Sequence, residues 1–299
     1  MSFATGLKSI VVATDLSGQS EAALEYARKL AAAYGARIVL AHGVDPVEYA
    51  ALDAVPGAVL QGLTDEARAA LDRMAGDLLQ AGIHSHSEVR QGAVAQMLVD
   101  VVRQYKAGLL VIGTKGMQGA GPVVVGAIAE QLVRMAPCPV LAVAADWNAG
   151  PCRPTPGGPV LLAIERNEAA KAAAATACSL AAVFERTLLV LHARTPAEAA
   201  AFPNPCAHPL QEFGIKPDES LKVQCIVVDG NPVDAIEQAI AQYRPCILVA
   251  GVKRISQTPG KHGTAFALLA RSRAPVLCVP PEPAPGTLEP EPCLSAEIT

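Results

Sequence analysis

Short apolar runs alternate with amphipathic segments along the first half of the chain. Residues 10–14 form an apolar, β-branched run, which is typical of a strand covered on both faces of its sheet. Residues 20–34 carry apolar side chains at three- and four-residue spacing, which predicts a helix that Ser17 or Ser20 caps and Gly35 ends. The same criteria predict strands at 38–41, 85–89, 109–112 and 140–144 and helices at 64–80, which Thr64 caps, 94–105 and 126–134.

The chain carries this pattern twice. Residues 9–42 align without a gap with residues 159–192, and residues 92–115 align with residues 230–253. Alternating strands and helices predict parallel strands joined by right-handed crossovers. Each repeat is therefore predicted to be α/β, a doubly wound open parallel sheet of about five strands with flanking helices. In the second repeat, the segment 193–220, rich in Pro and Ala, is expected to replace the second helix with a loop or short turns.

The repeats predict two domains, which agrees with a length of 299 residues. The first domain is predicted at 1–146, and a linker rich in Pro and Gly follows at 147–158. The second domain is predicted at 159–280. The tail at 281–299 has no periodicity and is predicted to be disordered.

Composition narrows the class of protein. Hydrophobic residues make up 51% of the chain and charged residues 17%, which excludes a chain disordered throughout. A net charge of -4 and 4% aromatic residues disfavour a nucleic-acid binder. Because no apolar run is long enough for a spanning helix, we expect no membrane insertion. The eight cysteines include no Cys-x-x-Cys pair, so we expect reduced thiols, no metal site and a cytoplasmic location.

Two segments of the first repeat would meet at the carboxyl edge of its sheet, where open parallel sheets bind ligands. One segment, 13–17, carries Asp15, and the other runs over 112–129 and carries Gly113, Gly116 and Gly126. Glycines allow the backbone to approach an anion, and the start of a helix favours phosphate. A carboxylate can accept hydrogen bonds from ribose hydroxyls. The combination predicts a nucleotide site.

At these residues the chain resembles the universal stress proteins. The first strand ends in Val11-Val12-Ala13-Thr14-Asp15-Leu16-Ser17, the fourth leads into Gly-x2-Gly-x9-Gly, and the last begins at Pro137-Cys138-Pro139-Val140. The resemblance covers residues 7–145 and 159–280 and implies a tandem member. It implies a Rossmann-like fold of the adenine nucleotide alpha hydrolase type in each repeat.

The resemblance also implies a ligand, ATP or ADP with or without Mg²⁺. Asp15 would contact the ribose, Gly113, Gly116 and Gly126 would hold the phosphates, and backbone near Gly43 would touch the adenine. The full set of candidate binding residues is Ala13, Thr14, Asp15, Gly43, Ile112, Gly113, Lys115, Gly116, Gly126, Ala127 and Ile128.

Both repeats depart from the family pattern. Ala127 stands where ATP-binding members have Ser or Thr, and a lost hydrogen bond to phosphate costs about 1.5–3 kcal/mol. Lys115 could supply compensating charge. In the second repeat Glu165 replaces Asp15, Arg254 replaces the second glycine, and Gly263-Thr264 follows after eight residues instead of nine, which predicts no strong ATP binding there.

The leading hypothesis is a cytoplasmic stress-response protein that binds an adenine nucleotide in its first repeat and acts as a sensor or adaptor with an unknown protein partner. No catalytic motif is present, so at most slow ATP hydrolysis is expected. The alternative is a nucleotide-free protein that acts through dimerisation, either as a homodimer or as a pseudo-dimer whose repeats pair through 140–144 and 276–279. Asp15 and the glycines would then serve turns only, and His42 and His192 are expected to be structural in either case.

Overall fold

The computed structural model describes residues 6–18, 20–46, 57–114, 126–147, 157–165, 167–194, 209–253 and 264–282. The elements of the first half are β1 (Ser9–Ala13), α1 (Glu21–Tyr34), β2 (Arg37–Val44), α2 (Gly57–Gln80), β3 (Ser85–Gln91), α3 (Val94–Gln104), β4 (Leu109–Gly113), α4 (Ala127–Met135) and β5 (Val140–Val143). Those of the second half are β6 (Val160–Ala163), α5 (Ala170–Val183), β7 (Leu188–Arg194), α6 (Pro209–Glu212), β8 (Val223–Asp229), α7 (Pro232–Tyr243), β9 (Ile247–Gly251), α8 (Thr264–Arg271) and β10 (Val276–Val279).

All ten strands belong to one sheet, in the order β3-β2-β1-β4-β5-β10-β9-β6-β7-β8. Neighbouring strands within each half are parallel, which confirms the predicted α/β class. The two predicted sheets join because β5 and β10 pair antiparallel, with Leu141 opposite Leu277. The pairing of the final strands that the pseudo-dimer hypothesis expects is therefore present within one chain. Because it is antiparallel, the carboxyl ends of the two halves' strands lie at opposite edges of the sheet.

The helices cover both faces of this sheet. Side chains of α1, α2 and α5 pack against one face, and those of α3, α4, α7 and α8 pack against the other. The joint between the halves is bridged on both faces. On the first, the Tyr26 hydroxyl donates to the carbonyl oxygen of Cys246 at 2.9 Å. On the second, the guanidinium of Arg134 lies 4.5 Å from the ring centroid of Phe266.

The predicted cap of α2 was wrong. The helix begins at Gly57, and Thr64 lies inside it, where its Oγ1 donates to the carbonyl oxygen of Leu60 at 2.8 Å. A threonine hydroxyl can bond to the carbonyl four residues earlier, so the residue type alone does not mark a helix start. Gly35 ends α1 in the left-handed region at φ 62°, as predicted. In the second half, the described part of the region predicted to lack a long helix contains the short helix α6.

Four of the described cysteines lie in surroundings that lower the reactivity of their thiols. Cys138 and Cys278 are buried, and burial raises the pKa of both thiols to about 12. Burial also raises the pKa of Cys178 and Cys246 to about 11. A thiol with a raised pKa carries little thiolate near neutral pH and reacts slowly. Over the same described ranges, no helix is both long and apolar enough to cross a membrane.

Candidate functional site

The strand order reverses between β1 and β4, which makes their carboxyl ends the switch point of the first half. Ala13 ends β1, and Thr14 and Asp15 follow it. Ile112 and Gly113 end β4, Gly43 lies near the end of β2, and Gly126, Ala127 and Ile128 begin α4. Lys115 and Gly116 lie outside the described residues.

Asp15 opens a tight turn between β1 and α1. Its Oδ1 accepts hydrogen bonds from the backbone N–H of Ser17 at 3.0 Å and from the Ser17 hydroxyl at 2.6 Å. Asp15 therefore does serve a turn. Leu16, between Asp15 and Ser17, has φ 61°, a left-handed backbone conformation that residues other than glycine seldom adopt. A carboxylate offers about four acceptor positions, so this turn uses only part of the capacity of Asp15.

Thr14 connects the turn to α1 and β2. Its Oγ1 accepts from the backbone N–H of Leu16 at 3.0 Å and lies 2.7 Å from Oγ of Ser20. Its carbonyl oxygen lies 2.8 Å from Nδ1 of His42. A carbonyl only accepts, so Nδ1 of His42 carries the proton. The structural role expected for His42 is confirmed, and His192 contacts the carbonyl of Ile164 at 3.2 Å in the same way.

The predicted cap of α1 is only partly right. Ser20 occupies the N-cap position, but its side chain makes no capping bond. Its hydroxyl donates instead to the carbonyl oxygen of Ser17 at 2.8 Å. The sequence shows that a serine stands at this helix start, whereas only the structure shows that its hydroxyl donates to Ser17.

Two candidate residues can contact a ligand only through their backbone. Ile112 is 3% exposed, and its side chain belongs to the core between the sheet, α3 and α4. Gly43 has no side chain because α3 lies against it. A Cβ atom added there would lie 2.6 Å from Cε of Met97 and 3.1 Å from Cγ2 of Val94.

The start of α4 presents backbone groups and small side chains. Gly126 is its N-cap residue, and no described side chain caps the helix. The Gly126 N–H lies 3.4 Å from the carbonyl oxygen of Thr114, so the two ends of the loop after β4 meet. Ala127 is exposed, and Ile128 is 39% exposed. The N–H groups of this first turn and the helix dipole favour an anion.

The equivalent position in the second half is occupied by an ion pair. Nζ of Lys253, after β9, lies 2.5 Å from Oε1 of Glu165, after β6. Asn167 caps the following turn through its Oδ1, which accepts from the N–H of Ala169 at 2.9 Å. A Cβ atom added to Gly251 would lie 3.1 Å from Cβ of Ala169, so the end of β9 is closely packed. Arg254 and Gly263 lie outside the described residues, and Thr264 begins α8.

In the first half, a cleft of about 670 Å³ lies beside the turn between β1 and α1. It is lined by residues of that turn, of α1 and of α2, and by Trp147. It shares only Thr14 with the predicted set, and hydrophobic periodicity gives no signal for it because its walls come from separate helices. Among the residues that the structure describes, no three His, Cys, Asp or Glu side chains gather as a metal site.

Comparison with known proteins gives consistent matches. Residues 6–144 match the model of the universal stress protein family. The chain is 30% identical over 138 residues to the universal stress protein MJ0531 of Methanocaldococcus jannaschii, a match that covers 46% of this chain and 81% of the relative. It is 30% identical to a universal stress protein of Thermus aquaticus, covering 46% of this chain and 98% of the relative.

Longer matches extend into the second half. The universal stress protein Rv2623 of Mycobacterium tuberculosis is 27% identical over 209 residues, which cover 68% of this chain and 69% of the relative. A solved universal stress protein from Archaeoglobus fulgidus superposes with a TM-score of 0.71 at 16% identity, over 91% of this chain and 98% of that chain. At that identity the superposition shows the fold alone.

Proposed function

Because this chain belongs to the universal stress protein family, we propose that it binds an adenine nucleotide, ATP or ADP, in its first half and acts as a sensor or adaptor in the stress response. One observation carries the proposal. Asp15 and the start of α4 follow neighbouring strands, β1 and β4, at the switch point of the sheet. We therefore expect the acceptor for ribose and the donors to phosphate to lie at the same edge.

The groups at this edge fit the ligand. Asp15 supplies a carboxylate, the kind of acceptor that binds ribose hydroxyls, and its Oδ1 is held in place by Ser17. The phosphates would lie at the first turn of α4, where Gly126 and Ala127 leave room for close backbone approach. Ala127 supplies no hydroxyl, so we expect weaker binding than a Ser or Thr at this position would give, by about ten- to a hundredfold.

We expect one nucleotide per chain. In the second half Lys253 pairs with Glu165, and the end of β9 at Gly251 is closely packed against Ala169. The second half then serves the first as a fixed sheet partner through β5 and β10.

Calorimetry and thermal shift with ATP, ADP and AMP test the proposal. A ligand that binds the folded chain must raise its unfolding temperature. Asp15→Ala should weaken nucleotide binding by about ten- to a hundredfold, because hydrogen bonds to a charged group are lost. Glu165→Ala is the matched control in the second half and should bind like the unaltered protein. Absence of heat and of any thermal shift at millimolar nucleotide would overturn the proposal.

The second candidate function is a nucleotide-free adaptor, which the missing hydroxyl at Ala127 favours. β5 and β10 already pair with each other, so neither is an open edge strand that could pair with a second molecule. A homodimer would therefore need another surface. Light scattering of the full chain, with and without ATP, tests whether two chains associate. Separately, nucleotide that copurifies with the protein argues against this candidate.

A further inference from the structure

The turn between β1 and α1 contains a hydrogen-bond chain with one direction. The Leu16 N–H donates to Oγ1 of Thr14, and the Ser20 hydroxyl donates to the carbonyl oxygen of Ser17. Oγ1 of Thr14 and Oγ of Ser20 are 2.7 Å apart, and either could be the donor on distance alone. A hydroxyl has one proton, and that of Ser20 is used on Ser17. Thr14 must therefore donate to Ser20.

The series of hydrogen bonds ends on Ser17, the residue that donates to the Asp15 carboxylate. Ser17 is fixed through its carbonyl by Ser20, and its N–H and hydroxyl both donate to Oδ1 of Asp15 at 3.0 and 2.6 Å. Thr14 and Ser20 are each only 7% exposed, so water cannot readily replace their mutual bond. Three hydroxyls thus hold the turn from which Ser17 donates to the Asp15 carboxylate.

The second half is an internal comparison without these hydroxyls. The gapless alignment places Ile164, Asn167 and Ala170 where the first half has Thr14, Ser17 and Ser20. Ile164 and Ala170 are buried, so the same architecture accepts apolar side chains at both positions. The acid of that half, Glu165, pairs with Lys253. The hydroxyls are therefore not a requirement of the fold.

We infer that Thr14, Ser17 and Ser20 are positioning residues that orient the Asp15 carboxylate toward the ribose hydroxyls of the bound nucleotide. The inference rests on the proposed nucleotide binding and adds how the ribose is recognised. Without these hydroxyls the turn holds the Asp15 carboxylate less firmly, and its hydrogen bonds to ribose lose part of their pre-set geometry.

The test compares ATP with its dideoxy analogue, which lacks both ribose hydroxyls, by calorimetry on the full-length chain. The unaltered protein should prefer ATP by about tenfold or more, since the analogue forfeits hydrogen bonds to a charged acceptor. Ser17→Ala and Ser20→Ala should reduce this preference to about threefold or less while affinity for the analogue stays unchanged, and Thr14→Val should reduce the preference as well. Thr14→Ser keeps the hydroxyl and should restore the preference.

Hydrogen exchange of the Leu16 amide, measured without nucleotide, reports the chain directly: protection should fall in Thr14→Val and return in Thr14→Ser. If the variants weaken ATP and the analogue equally, or leave the preference intact, the hydroxyls are merely structural and the inference is overturned while nucleotide binding stands. If the unaltered protein binds neither compound, the proposed function fails and the positioning role fails with it.

Discussion

At the scale of single residues, three side chains contact one another at the edge strand β3. Tyr105, just after α3, donates its hydroxyl to Glu88 of β3, and Arg90 contacts the same carboxylate. Burial and the bond to Glu88 raise the pKa of Tyr105 to about 12. Burial opposes ionisation of Glu88, but the bonds from Tyr105 and Arg90 outweigh it, and the pKa of Glu88 is lowered.

These shifts predict a pH dependence. A raised folded-state pKa contributes stability below the unfolded value of 10.0, and that contribution is lost as pH rises toward about 12. Tyr105→Phe should therefore lower the free energy of unfolding by about 1 kcal/mol near neutral pH and flatten its decline above pH 10. Urea unfolding at several pH values measures both. Tyr243→Phe is the control, because β8 has Ile226 where β3 has Glu88; an equal effect of the two variants would contradict the explanation.

At the scale of elements, close contact between β2 and α3 leaves no room for a side chain at one position of β2, which is occupied by a glycine despite its low strand propensity. Glycine weakens a strand, yet Gly43 lies in β2 because Met97 and Val94 of α3 occupy the space of a side chain. The opposite holds in α2, where Gly62 is exposed and a Cβ atom added to it meets nothing within 4 Å.

Two substitutions to alanine should consequently act in opposite directions. Gly43→Ala should lower the free energy of unfolding by about 1–3 kcal/mol through overpacking. Gly62→Ala should raise it by about 0.5–1 kcal/mol, because alanine has the higher helix propensity and nothing obstructs it. Urea unfolding of both variants checks the pair. Stabilisation by Gly43→Ala would show that α3 withdraws without cost.

At the scale of the whole molecule, the joint between β5 and β10 turns two repeats into one sheet. Leu141 and Leu277 lie opposite each other and are almost fully buried. Tyr26 and Arg134 support the joint on its two faces. The two halves therefore share core rather than merely being linked along the chain.

Cavities at this joint should be costly and coupled. Leu141→Ala and Leu277→Ala should each lower the free energy of unfolding by about 2–5 kcal/mol. Because the two side chains are neighbours, the double variant should differ from the sum by about 0.5–3 kcal/mol. Denaturant unfolding measures the cycle, with Leu79→Ala, at a side chain 60% exposed, as a control expected to change little. Strict additivity would argue against direct contact across the joint.

Local order was largely predictable because it depends on near neighbours in the chain. The apolar run at 10–14 lies within a residue of β1, and Gly35 ends α1 at a positive φ. The site's Asp15 and Gly126 could be proposed from spacing alone, since parallel strands bring their carboxyl ends to one edge. The prediction that Thr64 caps α2 was wrong because a threonine hydroxyl can bond to the backbone inside a helix as well as at its start.

The sequence by itself determined the two repeats, their α/β class and which loops end at a common edge, because periodicity of side chains records which faces are buried. Only the tertiary structure decided that β5 and β10 pair antiparallel, and hence that the two loop edges face in opposite directions. It alone decided that Lys253 meets Glu165, and that hydrogen bonds link Thr14 to Ser20, Ser20 to Ser17 and Ser17 to Asp15. Such contacts join residues from different elements, and their geometry follows from packing rather than from any local pattern.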